Sequence, residues 1–267
     1  MRKYYAFFRL RFSVGLQYRA AALAGIITQL AWGSMEILTF RAFYQADPAA
    51  FPMDFQALCA YIWLQQAFLS LFMAWMMEGE IFNTIIGGNI AYELCRPINI
   101  YDMWFSRSCA NRFSKALLRC IPLLAIAAFL PAPYGLMLPV SYSALFLFFV
   151  SLILGTLVCV SFCMLVYITC FFTISPMGVR MLAISVVDFF SGAIIPLPFF
   201  PENLKKIMEL QPLASTQNVP LRIYSGDLNG PAMYRALFLQ LFWLITLTCI
   251  GKLLNALAMK KITVQGG

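Results

Sequence analysis

Glu36 and Asp188 lie inside long apolar runs, where carboxylates are rarely found. A charged side chain at the centre of a bilayer costs about 2.5–3.5 kcal/mol on insertion scales, so such groups face a neighbouring helix, a water-filled cavity or a substrate path. Glu36 sits towards the outer end of its run, within reach of water or of Arg41, and Asp188 lies deeper. Both are pathway candidates, and for each the alternative is an interhelical hydrogen bond, worth about 0.6 kcal/mol on average. Catalytic chemistry has less material. The chain has no histidine and no HExxH, GxSxG or GxxxxGK[ST] pattern, so the usual general bases, zinc ligands and phosphate cradles are missing. The pair Gly87-Gly88 is followed by Asn89, which suits the end of one short helix and a bend into the next. The cysteines (Cys59, Cys95, Cys109, Cys120, Cys159, Cys163, Cys170 and Cys249) contain no CxxC pair. They read as small membrane-core side chains, forming neither disulfides nor a zinc site. The expectation is a chain that is no enzyme and holds no metal or cofactor.

The elements that position these residues follow from composition. The 267 residues are 62% hydrophobic and 11% charged, against about 25% charged in soluble domains. An all-α integral membrane protein is expected, with residues 1–267 forming a single membrane domain. Spans of roughly 20 residues leave room for six crossings and short connections, and for no sizeable soluble domain. Any large chemical engine belongs to another chain. The net charge of +8 points to topology rather than nucleic acid, because the basic residues flank apolar runs and are not interleaved with stacking aromatics.

Apolar runs fall at about Ala20 to Phe43, Ala57 to Met77, Ala116 to Leu138, Ser143 to Phe172, Met181 to Phe199 and Ala232 to Ala258. With the N-terminus inside, the inner side receives the basic residues of Arg2 to Arg19, those between Arg96 and Arg119, Arg180, Lys252, Lys260 and Lys261. The outer side receives only Arg41, Lys205, Lys206, Arg222 and Arg235. That asymmetry favours six spans with both ends cytoplasmic. Met1 to Arg19 lacks the short apolar core and cleavage site of a signal peptide. Tyr5, Phe8, Phe12 and Leu16 fall near one helical face of Arg2 to Tyr18, which suggests a helix lying along the inner leaflet; a frayed basic anchor is the alternative. After the fifth run, Pro196, Pro198 and Pro201 stop the helix, Glu202 to Leu210 restarts one with a favourable acidic first turn, and Pro212 stops it again. Irregular apolar backbone at a membrane edge survives where protein buries it or where it lines a cavity. The three prolines therefore mark an outer gate, a re-entrant pair of short helices over the mouth of a pathway; an ordinary surface loop is the alternative. Gly25 and Gly33 in the first run and Ser151 and Gly155 in the fourth suit close helix approach.

Between the second and third runs lies a polar interruption, Glu78 to Arg119, centred on Ile86-Gly87-Gly88-Asn89-Ile90-Ala91-Tyr92-Glu93-Leu94-Cys95-Arg96-Pro97-Ile98. A long, basic, partly apolar loop on a chain with little mass outside the membrane is a natural place to receive force from a partner. This loop resembles the one between the second and third spans of ABC-2 family export permeases, where an apolar residue, a Gly, a short helix and an Arg-Pro pair recur. The ending Lys260-Lys261-Ile262-Thr263-Val264-Gln265-Gly266-Gly267 resembles that of a subgroup of these permeases, and the basic N-terminal helix, six spans and proline-broken segment extend the similarity over the whole chain. Cys95 departs from the apolar residue more often found there, and the short Thr173 to Arg180 connection offers no second large docking element.

The resemblance implies the membrane half of an ABC exporter in a bacterial cytoplasmic membrane. It implies two separately encoded ATP-binding subunits, which hold the ATP and Mg, and a second permease, identical or different. It implies a cytoplasmic coupling helix near Gly88 to Pro97, with Ile90, Tyr92 and Leu94 as contacts and Arg96 at its end. The expected substrate is amphipathic or hydrophobic, such as a drug, peptide or lipid-linked molecule. A polysaccharide or teichoic-acid exporter and a non-transporting immunity or sequestering protein are the alternatives.

Overall fold

The computed structural model describes residues 2–173 and 176–261, and among these every regular element is helical. The VQGG ending lies outside them. In chain order the α-helices are α1 (Arg2–Gly15), α2 (Arg19–Ala46), α3 (Phe55–Ala67), α4 (Leu69–Phe72), α5 (Gly79–Ile86), α6 (Ile90–Leu94), α7 (Ile100–Phe129), α8 (Tyr142–Thr169), α9 (Pro176–Phe190), α10 (Glu202–Leu210), α11 (Asn218–Ser225) and α12 (Gly230–Lys261). Helices α2, α8 and α12 are each long and apolar enough to cross a membrane. Their bounds follow the first, fourth and sixth apolar runs closely, because hydropathy reports directly on a helix whose outer face meets lipid.

The second run is not one helix. Asp54 caps α3 by accepting from the backbone N–H groups of Gln56 (2.9 Å) and Ala57 (3.3 Å), a favoured N-terminal arrangement. The helix then ends at Ala67, α4 adds a single turn, and Met73 is extended before a short 3-10 turn, Ala74–Met76. Broken backbone at this depth needs internal partners. Arg112 Nη1 donates to the carbonyls of Ser70 (3.2 Å), Leu71 (3.1 Å) and Met73 (3.0 Å), and Cys159 Sγ donates to Phe72 O (3.0 Å). The break is filled by side chains from α7 and α8.

The third run also differs from expectation. Helix α7 begins at Ile100 rather than near Ala116, capped by Asn99, whose side chain accepts from Asp102 N (3.2 Å). It gives way at Leu130, before Pro131. About half of the polar interruption therefore belongs to α7. Some of its charges are paired, Arg107 with Glu78 and Glu80, and Asp102 with Lys252 at 2.9 Å. Helix α9 likewise stops at Phe190, short of Phe199, and the left-handed Gly192 (φ +79°) turns the chain.

Helix α8 is the spine, packed on α7, α11 and α12. Two buried apolar clusters sit against it. One gathers Tyr61, Trp63, Phe148 and Leu221; the other gathers Ile81, Trp104, Met164 and Tyr167. Gly155 lets α8 touch the chain before α11, where a Cβ would lie 2.2 Å from Thr216 O. Beside it Ser151 Oγ and Gln240 Oε1 bond at 2.9 Å, and Gln240 Nε2 donates to Ser215 O at 2.7 Å.

Candidate functional site: a carboxylate-bearing cleft and a short exposed helix

A cleft of 1280 Å³ runs along α2, bounded by the α3–α4 break and by the chain after α9. Glu36 and Asp188, distant in sequence, both line it. Glu36 Oε2 accepts from Gln66 Nε2 at 3.5 Å, a long contact. Arg41 is not its partner, since that guanidinium lies over the Tyr134 ring at 5.4 Å. Next to Gln66, Gln65 Nε2 donates to Ala193 O at 2.9 Å, so the last turn of α3 ties α2 to the segment following α9. Several buried polar atoms here have no hydrogen-bond partner among the described residues: the acceptors Glu36 Oε1, Asp188 Oδ1 and Gln65 Oε1, and both the Nε2 donor and the Oε1 acceptor of Gln29. Gln29, Gln65 and Gln66 were not singled out from sequence, although amides inside apolar runs are the same signal that exposed Glu36.

The proline-broken segment closes one end of this cleft. Pro196 and Pro198 are buried and Pro201 is exposed. Leu197–Phe199 forms one 3-10 turn, which presents Phe199 to the cleft, 4.9 Å from the Phe40 ring and 5.1 Å from that of Phe51. The prolines shape the turn, and the aromatic side chains form the wall. Beyond them α10 and α11 are the expected pair of short helices, and α11 is buried along its whole length. The buried Arg222 is held there by Glu209 and Asp227. Burial disfavours its charge, but the two carboxylates outweigh burial and raise its pKa above the ordinary arginine value. Sequence alone left Arg222 as a loop residue, because a cation and its partners look alike whether solvated or buried.

At the other end of the fold lies the short-helix loop. Gly87 terminates α5, and Gly88 at φ +70° makes the bend into α6, a conformation that costs glycine little. The expected contact face needs one correction. Ile90 is 4% exposed and packs with the core around Ile81 and Phe82, so it anchors α6 and presents nothing outward. Tyr92 and Leu94 do face out, at 74% and 44% exposure, and Arg96 and Pro97 are exposed after them. The mount is stiff. Trp104 Nε1 donates to Glu93 Oε2 (2.7 Å), Lys3 Nζ donates to Pro97 O (2.6 Å), and Asn99 N donates to Tyr4 Oη (3.0 Å). Helix α1 is thus part of the support, turning Tyr4, Phe7 and Phe8 to the core and leaving Tyr5 exposed.

Residues 30–266 match the family described as ABC-2 family transporter protein. Comparison with curated proteins and with solved structures returns no match. The matched stretch takes in the α5–α6 loop and most of the cleft, together with helices long and apolar enough to cross a membrane. The protein therefore belongs to the ABC-2 transporter family, whose membrane permeases work with an ATP-binding subunit.

Proposed function

We propose that the protein is the permease subunit of an ATP-driven exporter that moves an amphipathic or hydrophobic substrate outward along the Glu36–Asp188 cleft. The whole chain acts as one six-span permease domain in a bacterial cytoplasmic membrane, with both ends cytoplasmic. Two ATP-binding subunits, carrying the ATP and Mg, and a second permease complete the machine. Closure of the ATPases pushes α6, and paired permeases rock about their interface.

The observation that carries this reading is α6 itself. Tyr92 and Leu94 are apolar knobs held outward on a support fixed by Glu93, Pro97 and Asn99. A push delivered to such a mount passes into α7 as rigid-body motion, whereas a free loop would absorb it. The test is to purify the chain from its host in mild detergent, identify co-purifying chains by mass spectrometry, and measure the ATPase rate of the complex. Tyr92→Asp and Leu94→Asp place an unpaired charge in the docked contact; both are expected to abolish coupling while insertion and folding persist. Recovery of the chain with no nucleotide-binding partner, or full coupling in both variants, would overturn the assignment.

A further inference from the structure

The cleft carries a polarity of its own. Three elements contribute polar side chains to its wall: Glu36 from α2, Gln65 and Gln66 from the last turn of α3, and Asp188 from the last turn of α9. The bonds from Gln66 to Glu36 and from Gln65 to Ala193 O fix the three elements to one another. Yet Glu36 Oε1, Asp188 Oδ1 and Gln65 Oε1 are buried without a donor, and buried polar groups in folded proteins nearly always have one. Gln29, 3% exposed, also offers both amide atoms unpaired.

None of these acceptors is bonded by a cation among the described residues. Among the described residues that line the cleft, Arg119 is the only basic one. Its guanidinium lies against Gly25, where a Cβ would fall 2.5 Å from Cζ. Gly25 precedes Glu36 by three turns of α2, about 16 Å along the axis, so Arg119 stands at the far end of the cleft. Apart from Thr28, Thr39 and Asp47, the remaining wall is apolar and aromatic, with Trp32, Met35, Phe40, Phe43 and Phe199 among its members. Its volume exceeds the roughly 300–1,000 Å³ of ordinary drug-sized pockets. Neutral sugars, which need a dense set of hydroxyl partners, suit such a wall poorly.

We propose that this cleft binds a lipophilic cation, an ammonium, phosphonium or guanidinium group on a bulky apolar body, with Glu36 and Asp188 receiving the charge and the aromatic wall receiving the body. The proposal rests on the permease reading of the cleft and narrows its substrate class. Aromatic faces reinforce the choice, since they attract desolvated cations.

The test uses the complex as purified, reconstituted into lipid nanodiscs, and two probes of nearly equal shape and opposite charge, tetraphenylphosphonium and tetraphenylborate, each measured separately by equilibrium binding. The phosphonium is expected to bind saturably and about tenfold or more tightly than the borate. Glu36→Gln and Asp188→Asn are each expected to weaken phosphonium binding by about tenfold, in protein that melts and elutes like the parent. Equal affinities for the two probes overturn the proposal, as do variants that bind the phosphonium like the parent. The probe comparison needs no variant, so a substitution that fails to fold leaves it decisive. If an ATPase co-purifies and Leu94→Asp uncouples it while the phosphonium shows no advantage, the cation proposal fails and the permease reading stands. If no ATPase is found, the permease reading fails whatever the cleft binds.

Discussion

Arg112 is 3% exposed and paired with no carboxylate among the described residues. Its partners are three carbonyls of the broken second run and the Cys163 sulfur at 3.3 Å. Here a charge serves as a cap for a helix that stops inside the protein. Arg112→Met removes the donor and strands those carbonyls. A loss of about 3 kcal/mol or more is expected, read as a lowered melting temperature in detergent. Arg222 makes the complementary case, because its partners differ in exposure: the Asp227 side chain is 20% exposed and that of Glu209 is 36%. Asp227→Asn is expected to cost about 2 kcal/mol, and Glu209→Gln less, because water restores part of what the more exposed carboxylate supplied. A melting series that reversed this order would contradict the geometry. At this scale the sequence was partly legible. Glu36 and Asp188 were visible because an acid in an apolar run has no other context. Arg107 and Arg112 were hidden because their neighbourhood is polar in sequence and becomes buried only through Glu78, Glu80 and the carbonyls near Ser70. Ile90 was misplaced because a five-residue helix has too few positions for periodicity to separate its inner face from its outer one.

Among the elements, the three that cross freely were readable nearly to their ends, and the ones that break were not. A break such as that at Phe68 is written in residues from α7 and α8, far along the chain, so no window over residues 57–77 contains it. The glycines that permit close approach make sharper tests. A Cβ at Gly15 would lie 2.1 Å from Ser114 Oγ, so Gly15→Leu must lift α1 from α7. Trypsin is expected to cleave after Arg9 and Arg11 several times faster in that variant, under conditions where the parent is protected. At Gly155 the obstacle is backbone, Thr216 O, which cannot swing aside as a side chain can. Gly155→Ala is expected to cost about 1–3 kcal/mol in a thermal melt, although alanine is the better helix former. The proline-broken segment shows the limit of composition: Pro196, Pro198 and Pro201 announced a stop, but the burial of all of α11 could not be seen in a stretch containing Gln217, Asn218 and Arg222.

For the whole molecule, the positive-inside asymmetry and the fold make one joint prediction. Together they predict that the α10 end and the α6 end lie at opposite faces of the membrane, with α6 in the cytoplasm. In a chain whose other cysteines are replaced, a membrane-impermeant maleimide is expected to label Lys205→Cys in intact cells and the exposed native Cys95 only after lysis. Labelling of Cys95 in intact cells would invert the molecule and with it the direction of export.

The anchoring of α1 has a consequence for how the protein is made. Lys3 bonds to Pro97, 94 residues further on, and Tyr4 O accepts from Ser106 Oγ at 3.1 Å. At about 5–20 residues per second, the first helix leaves the ribosome roughly 5–20 s before its seat exists. During that interval Tyr4, Phe7 and Phe8 lack the core they pack on. If α1 rests first on the bilayer surface, α7 must displace the lipid to seat it.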